Sequence, residues 1–303
     1  MDKPSGMTSR AAGGRVARMF GVKKFGHLGT LDPMASGVLP IALGNATKMI
    51  PFLEELWKRP HFDDLGRRMG EKEYAFGVEW GYETDTLDVT GKIIKQDGRL
   101  PDYKEIDRFC DGYKGEILQT PPAFSAIRIG GRHAYELARR GADIKMPSRK
   151  VTIYDLVLGS GGPAGKMKYS AFLANCGTGT YVRSLARDIG DLSGGYLATV
   201  SGIRRTRTHN FVIKDAQTLD FLEKVYHNAP AELRDYLNPA DFGLDDILVA
   251  ELHDDDAALF GHGGVIVTKD DSAGLRRVYH NGRFIGIGRN DNYVLMPRRV
   301  INN

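Results

Sequence analysis

The sequence predicts an α+β protein with a small β-rich region at its C-terminal end. Helical and strand patterns are interspersed without a regular βαβ rhythm, so a doubly wound parallel sheet is not favoured. Near the C-terminus, Asn281-Gly282 separates two strand patterns, and this dipeptide is typical of a hairpin with a type I′ turn. The chain has 303 residues, of which 42% are apolar. This is enough for one large domain or two unequal ones.

Elements of the first half follow from periodicity and capping residues. Thr8 or Ser9 is expected to be the N-cap of a helix over 8–20. In a glycine-rich loop over 25–37, Asp32-Pro33 is typical of a helix start, with the aspartate as N-cap. Apolar side chains alternate over 73–80, which predicts a half-buried strand. We then expect a strand near 92–95, a helix over 101–113, short strands within 116–130 and a helix over 133–140.

The second half is predicted to start with a hairpin and end in a small β-rich region. Strands over 150–158 and 167–176 are joined by a Gly-Pro loop. A helix over 180–192 carries Arg183 and Arg187 one turn apart. The remaining expectations are a strand over 195–213, an acidic, loop-rich stretch over 214–256, a hairpin over 277–287 and a strand over 293–300.

Composition excludes several classes of protein. No apolar run approaches the ~20 residues of a membrane span, and the N-terminus lacks the apolar core of a signal peptide. We therefore expect a soluble, cytoplasmic protein. The two cysteines, Cys110 and Cys176, form no C-x-x-C pair, and no His cluster has zinc spacing. A disulfide framework and a metal site are not expected.

Charge is unevenly distributed along the chain. Residues 1–50 carry seven Lys/Arg against two Asp/Glu, and residues 149–214 carry ten against three. Residues 215–256 reverse this balance, with two against twelve. Basic blocks beside an acidic segment suit a face that binds a polyanion such as nucleic acid. The alternative from charge alone is a solvated surface of mixed sign.

Asp32 is the candidate reactive group of the glycine-rich loop. Gly29 and its neighbouring glycines permit close approach of another molecule to the backbone. An ionised carboxylate is a nucleophile without a partner base. A hydrolytic triad of His27, Asp32 and Ser36 is disfavoured, because triads recruit residues that are distant in sequence.

Five segments in series resemble the TruB family of tRNA pseudouridine synthases. Together they cover most of residues 1–214: DKPSGMTS (2–9), GHLGTLDPMASGVLPIALGNATK (26–48), KEYAFGVEWGYETDTLDVTG (72–91), GEILQTPPAFSAIRIGGRHAYELAR (115–139) and CGTGTYVRSLARDIG (176–190). The resemblance implies the pseudouridine synthase fold, with a central mixed, mainly antiparallel sheet flanked by helices. It also implies isomerisation of uridine 55 in the tRNA T loop, by cleavage of the N1 glycosidic bond and rejoining at C5. No cofactor is needed for this reaction.

The resemblance also implies roles for individual residues. Asp32 matches the family's catalytic aspartate and is the expected nucleophile; whether it attacks the sugar or the base, or removes a sugar proton, stays open. Tyr74 matches the active-site tyrosine, and Arg183 matches the arginine expected beside the aspartate. Three further residues are matched to substrate binding: Tyr181 and Leu197 in the uracil pocket, and His27 in the space that the flipped base leaves. The residues alone leave other interpretations open. These are core packing of the tyrosines and Leu197, phosphate binding by Arg183, and simple exposure of His27.

The remaining expectations concern RNA contacts and chain organisation. The insertion over 115–147 is expected to grip the T loop, with phosphate contacts from arginines that include Arg132 and Arg139. We expect a catalytic domain over 1–236 and a PUA-like domain over 237–303. Residues 53–71 appear longer than the family's usual link and suggest an added surface loop. The partner is tRNA through its T stem-loop, and the protein is expected to be a monomer without an obligatory protein partner. Alternatives are a tRNA-binding protein without turnover and a guide-RNA-dependent synthase.

Overall fold

The computed structural model describes residues 1–57, 61–62, 68–69, 71–142, 144–160 and 165–301. Its first sixteen strands are β1 (Asp2–Lys3), β2 (Phe25–His27), β3 (Ser36–Val38), β4 (Ile41–Leu43), β5 (His61–Phe62), β6 (Arg68–Met69), β7 (Lys72–Trp80), β8 (Tyr82–Thr84), β9 (Ile93–Gln96), β10 (Gly115–Gln119), β11 (Arg128–Ile129), β12 (Arg132–His133), β13 (Arg149–Ser160), β14 (Tyr169–Cys176), β15 (Ala198–Thr208) and β16 (Phe211–Val212). The strands that follow are β17 (Leu248–Glu251), β18 (Ile266–Val267), β19 (Gly274–His280), β20 (Arg283–Asp291) and β21 (Val294–Val300). The helices are α1 (Ser9–Met19), α2 (Ile50–Leu56), α3 (Tyr103–Gly112), α4 (Ala134–Arg139), α5 (Val182–Gly194), α6 (Leu219–Asn228) and α7 (Asp254–Gly261).

A mixed sheet forms the centre of the first part of the chain. Its strand order is β1-β3-β15-β7-β14-β13-β10, with β16 also paired to β15. The pair β15–β3 is parallel and the other pairs of this sheet are antiparallel. Helices and strands alternate irregularly along the chain, so the predicted α+β class with a mixed, mainly antiparallel sheet is confirmed.

The main core lies between this sheet and helices α3 and α5. Alternate side chains of β7 point to the same face, as the period of a strand requires, and four of them are buried there. Ile106 of α3 and Leu185 and Ile189 of α5 pack against this face. Helix α5 ends at Gly194, where Gly195 takes a left-handed conformation with φ of 71°. The predicted helical and strand patterns of this region are confirmed.

A five-stranded sheet forms the C-terminal part of the chain, in the order β17-β19-β20-β21-β18. Asn281 and Gly282 join β19 to β20, and both have the positive φ that a type I′ turn requires. Phe260 of α7 is fully buried on this sheet. Ile287 and Ile301 also pack with Leu28 of the first part, so one apolar cluster joins the two sheets.

Two local predictions were wrong. Asp32-Pro33 starts no helix; it lies in a tight turn in which the Ala35 amide donates to the Asp32 carbonyl at 3.1 Å. Besides loops, the stretch over 214–256 contains helix α6, strand β17 and only the first residues of α7. The prediction relied on the many acidic residues and overlooked the apolar spacing of α6. Its Leu222 and Val225 lie on one helical face and pack against Val16 of α1.

The expected surface loop over 53–71 falls partly outside the described residues, which omit 58–60, 63–67 and 70. Its first residues belong to α2 and the buried Trp57, and β5 pairs with β6. None of the helices in the described part of the chain combines the length and apolar character that a membrane span requires.

Candidate active site

The loop that carries Asp32 is fixed from below by residues near the N-terminus. Ser9 of α1 accepts a hydrogen bond from the Leu31 amide at 2.9 Å, and its hydroxyl donates to the Leu31 carbonyl at 3.0 Å. The fully buried Lys3 ammonium donates to the carbonyls of Met7 at 2.7 Å and Pro33 at 3.4 Å. Burial lowers the pKa of Lys3 to about 8, against the opposing charge of Asp32. These bonds fix the backbone on both sides of the carboxylate.

Arg183 holds the Asp32 side chain from above. Its Nε donates to Asp32 Oδ2 at 2.8 Å. The other two nitrogens donate to the carbonyls of Thr86 at 2.8 Å and Phe124 at 3.0 Å. Arg183 has 4% of its side chain exposed and Asp32 has 36%. The guanidinium therefore joins four segments of the chain and leaves one face of the carboxylate open.

Asp32 opens into a cavity of about 180 Å³. Aromatic and aliphatic side chains line it together with a few polar ones: Thr30, Leu31, Asp32, Ala35, Lys72, Tyr74, Arg149, Gly179, Thr180, Tyr181, Val182 and Ile203. A larger cavity of about 460 Å³ lies near Val16, Phe20 and Phe242, and its lining includes neither Asp32 nor Tyr74. Aromatic and aliphatic walls combined with convergent polar and charged groups are typical of a site for an organic ligand.

Tyr74 lies in the wall of the cavity beside a buried arginine. Burial raises the pKa of the Tyr74 hydroxyl, whereas the charge and hydrogen bonding of Arg205 oppose that rise. Arg205 is fully buried on β15, and its Nη2 donates at 2.7 Å to the carbonyls of both Gly29 and Val38. A raised pKa keeps the phenol protonated at neutral pH, so Tyr74 presents a neutral hydroxyl to the cavity.

Tyr181 is the N-cap of α5 and is fixed through its backbone. Gln119 of β10 accepts from the Tyr181 amide at 2.8 Å and donates to its carbonyl at 3.2 Å. The guanidinium of Arg149 lies over the Tyr181 ring, 4.9 Å from its centroid, and also donates to the Gly179 carbonyl. Tyr74 and Tyr181 therefore supply two aromatic walls of the same cavity.

His27 and Gly29 lie at the entrance to the Asp32 loop. The His27 Nε2 and the Thr30 hydroxyl are 3.1 Å apart. Burial lowers the pKa of the His27 imidazole, and the charges of Arg205 and Arg10 lower it further. Gly29 has a φ of 66°, and a side chain there would meet the Arg205 guanidinium at 3.0 Å. Gly29 thus serves close packing as well as its carbonyl bond to Arg205.

The expectation that Leu197 lines the pocket does not agree with the structure. Leu197 precedes β15 at the end where Ala198 pairs with Trp80, whereas Tyr74 pairs with Arg205 near the opposite end. At ~3.3 Å per residue, the stretch of chain from Leu197 to the cavity end of β15 spans about 20 Å. The apolar residue of β15 that lines the cavity is Ile203.

The two arginines expected to contact phosphates lie on the surface of the 115–147 insertion. Arg132 is in the β11–β12 hairpin and Arg139 is in α4; both are exposed. This segment is tied to the site, because the Tyr135 amide donates to the Ser125 carbonyl at 3.1 Å, next to the Phe124 carbonyl that binds Arg183. The insertion therefore passes directly beside the Asp32–Arg183 pair.

Sequence reasoning missed several residues of the site. Arg205 belongs to the basic run of β15, and Lys72 lies two residues before Tyr74, yet neither had an expected role. The signal that could have found them was a basic residue at a strand position whose alternation predicts burial. Within the described ranges, no three His, Cys, Asp or Glu side chains form a group that could hold a metal ion.

Family models match both parts of the chain. The model described as TruB family pseudouridylate synthase, N-terminal domain, matches residues 17–63 and 65–182. The model described as pseudouridine synthase II TruB, C-terminal, matches residues 249–301.

Curated relatives of high similarity carry one name. The tRNA pseudouridine synthase B of Nitrobacter winogradskyi is 38% identical over 309 aligned residues, which cover 100% of this chain and 81% of the relative. The protein of the same name from Caulobacter vibrioides is 38% identical over 267 residues, covering 88% and 80%.

Solved structures share the fold at lower identity. An H/ACA RNP bound to a substrate RNA containing 2′-deoxyuridine matches with a TM-score of 0.67 and 20% identity, over 100% of this chain and 84% of that chain. The Nop10–Cbf5 complex of an archaeal box H/ACA sRNP matches with a TM-score of 0.65 and 20% identity, over 99% and 84%. These matches support the pseudouridine synthase fold.

Proposed function

This chain belongs to the TruB family of tRNA pseudouridine synthases, which are isomerases, and we propose that it converts uridine 55 of the tRNA T loop to pseudouridine with Asp32 as the nucleophile. The observation that carries the proposal is the cavity in which Asp32, Tyr74 and Tyr181 meet. Arg183 occupies one face of the Asp32 carboxylate. A substrate would therefore approach Asp32 from the open face.

The reaction is an internal rearrangement. The N1–C1′ bond breaks with its electron pair on the uracil, the ring turns, and C5 forms the new bond to C1′. The C5 proton leaves and N1 gains one, so the product has the same atoms as the substrate. Asp32 attacks during the first part of this sequence, and the neutral Tyr74 hydroxyl passes on the C5 proton.

Access to the cavity requires that the target nucleotide leave the T loop. A base that is stacked and paired cannot reach an enclosed carboxylate, so it is flipped out at a cost of a few kcal/mol. We propose that His27, beside the Asp32 loop, fills the space that the base leaves. Its lowered pKa keeps the imidazole neutral at pH 7, which favours stacking on neighbouring bases.

Release of tritium from tRNA transcript labelled at C5 of uridine tests the proposal. Wild-type protein should release label, and Asp32→Asn should reduce the rate by at least about 10³-fold, because an amide is a poor nucleophile. Asp155→Asn is the matched control, since it removes a carboxylate from an exposed ion pair with Lys114. Undiminished release by Asp32→Asn would remove Asp32 from the role of nucleophile.

Mapping of pseudouridine in the treated transcript tests the position. Modification should appear at residue 55 of the transcript and in an isolated T stem-loop, and a transcript with cytidine at 55 should stay unmodified. Modification elsewhere, with position 55 untouched, would contradict the proposed substrate site.

We also propose that the protein acts as a monomer without a guide RNA or a protein partner. The similar solved structures are of H/ACA assemblies, so the alternative is specific and testable. Purified protein should modify a bare transcript at a rate that added RNA does not change. Tight binding without product would favour a tRNA-binding protein, and a strict need for added RNA would favour a guided synthase.

The domain division stays part of the proposal. We place the catalytic domain at 1–236 and an RNA-binding domain at 237–303. Removal of 237–303 would expose apolar residues such as Leu28, so limited proteolysis of the intact chain in the 237–247 segment is the appropriate probe.

A further inference from the structure

Lys72 lies in the same cavity as Asp32 and has no part in the chemistry described so far. It is the first residue of β7, paired with Cys176 of β14 and Thr208 of β15. Its side chain is on the face of Tyr74, because residues i and i+2 of a strand point the same way. Lys72 is a lining residue of the cavity, so its ammonium is available to a bound ligand.

The other cations near the cavity hydrogen-bond to protein groups, although Arg205 Nη1 and Arg149 Nε, both buried, have no hydrogen-bond partner among the described residues. Arg183 binds Asp32 and two carbonyls, and Arg149 binds the Gly179 carbonyl and the Tyr181 ring. Arg205 is buried with bonds to the carbonyls of Gly29 and Val38. Across the described residues, no hydrogen bond or ion pair engages the Lys72 ammonium. Its three donors are therefore free for substrate.

The surroundings of Lys72 disfavour its charge. Burial and, next in size, the charge of Arg205 lower the pKa of Lys72 to about 8, although Cys176 and Glu71 oppose this shift; Arg149 adds a smaller lowering effect. A cation kept in such a place without a partner is a feature of functional sites more than of structural ones. The ligand that would suit it carries a partial or developing negative charge.

We propose that the Lys72 ammonium donates a hydrogen bond to a carbonyl oxygen of the bound uracil and stabilises the negative charge that the ring acquires when the N1–C1′ bond breaks. The inference rests on the proposed function and adds a residue that touches the substrate. Because the base lies between Tyr74 and Tyr181, its ring edge with O2 or O4 is the part that reaches Lys72.

The charge balance of the reaction explains why a cation is needed there. As the glycosidic bond breaks, its electron pair stays on N1 and is delocalised onto O2 and O4. When Asp32 bonds to the sugar, the negative charge of its carboxylate passes to the departing uracil, so the ring is the group that needs a positive charge beside its carbonyl oxygens. Once C5 has bonded to C1′ and lost its proton, and N1 is protonated, the ring is neutral again. The bond to Lys72 is thus strongest while the ring is charged, which accelerates the reaction more than it tightens binding.

A single-turnover assay with saturating protein separates this role from RNA binding. Lys72→Met should lower the rate by about 10²–10³-fold and change the dissociation constant for tRNA by less than about twofold. Lys72→Arg should restore part of the rate, because it restores the charge. Lys224→Met is the matched control, since it removes an exposed lysine of α6 in the acidic segment. A rate within threefold of wild type in Lys72→Met would overturn the proposal.

Phosphate binding is the other use of a free ammonium, and the same assay distinguishes it. If Lys72 contacts a phosphate, Lys72→Met should weaken tRNA binding, flatten its salt dependence and leave the saturated rate unchanged. That result would also overturn the proposal. Wild type and Lys224→Met must form pseudouridine throughout; if they do not, it is the proposed function that has failed.

A modified substrate identifies the carbonyl and remains informative if Lys72→Met folds poorly. Sulfur is a weak hydrogen-bond acceptor, so 4-thiouridine or 2-thiouridine at the target should slow the wild-type protein. The thio effect of the contacted position should be lost in Lys72→Met, as the coupling in a double-mutant cycle requires, and reduced in Lys72→Arg, which keeps the charge in a different geometry. Equal thio effects in wild type and both variants would contradict the contact.

Discussion

The region around Asp32 and the 115–147 insertion use arginine in opposite ways. Near Asp32, Arg183 and Arg205 are buried, and their nitrogens donate to the carboxylate and to backbone carbonyls. In the insertion, Arg132 and Arg139 are exposed.

The comparison distinguishes arginines that fix the geometry of the site from arginines that attract RNA. Buried guanidiniums fix the positions of other groups, and salt barely screens them. Exposed ones act on phosphates at a distance, and salt weakens them strongly. Substitutions in the first region should therefore change turnover or stability. Those in the second should change tRNA affinity and its salt dependence.

Among substitutions of these arginines, the largest effect is expected for Arg183→Lys. A lysine ammonium cannot replace the planar fork that binds Asp32 and two carbonyls, so the carboxylate should lose its orientation. The single-turnover rate should fall by about 10²-fold or more, with tRNA affinity nearly unchanged. Arg187→Lys, one turn further along α5, is the control. Equal losses of rate and affinity would make Arg183 a phosphate ligand.

Arg205→Met should act on stability. It leaves the Gly29 and Val38 carbonyls without their buried donor, which costs about 1–3 kcal/mol in the free energy of unfolding. Urea unfolding monitored by circular dichroism measures this change. Arg204→Met, at the adjacent and exposed position, should cost less because Arg204 only pairs with Asp2 at the surface. Comparable midpoints for the two variants would show that burial of Arg205 is not structurally important.

Arg132→Gln and Arg139→Gln should each weaken tRNA binding severalfold without changing the saturated rate. Each should also reduce the slope of log affinity against log salt concentration by about one, as loss of one phosphate contact requires. Arg234→Gln, exposed in the acidic segment, is the control. An unchanged slope in both variants would remove these arginines from the RNA interface.

The smallest effect concerns the pH dependence of stability. Because the folded protein lowers the pKa of His27 below 6.5, the neutral imidazole is favoured on folding. The corresponding stability is present above pH 6.5 and is lost as pH falls through the lower folded pKa. His27→Gln should therefore lose less thermal stability than wild type between pH 7 and 5. His262→Gln, exposed beyond α7, should follow the wild type.

Local patterns were enough for most elements of the fold. Alternation predicted the strand over 73–80 and helical spacing the helix over 180–192, which correspond to β7 and α5, and the Asn281-Gly282 turn was predicted from its required φ angles. The prediction of a helix start at Asp32-Pro33 was wrong because the same dipeptide is also common in turns. Bonds from Lys3 and Ser9, distant along the chain, favour the turn here.

The sequence did not predict which residue of β15 lines the cavity. Leu197 and Ile203 are both apolar, and strand patterns do not state which end of a strand faces a given loop. The parallel pairing of Arg204 with Ser36 and Arg205 with Gly37 decides it, because this places Ile203 beside the Asp32 loop.

By itself the sequence determined the α+β class, the order of most elements and, through five motifs, the family and its aspartate. The resemblance already predicted Arg183 beside that aspartate, whereas only the tertiary structure showed that Lys72, Arg149 and Ile203 line the same cavity. Asp32 and Arg183 are 151 positions apart, and no local periodicity encodes such a contact. Local periodicity also does not show that Arg149, Arg183 and Arg205 hydrogen-bond to protein groups. Nor does it show that Lys72 makes no such bond within the described residues, because hydrogen-bond satisfaction depends on the packing of whole strands.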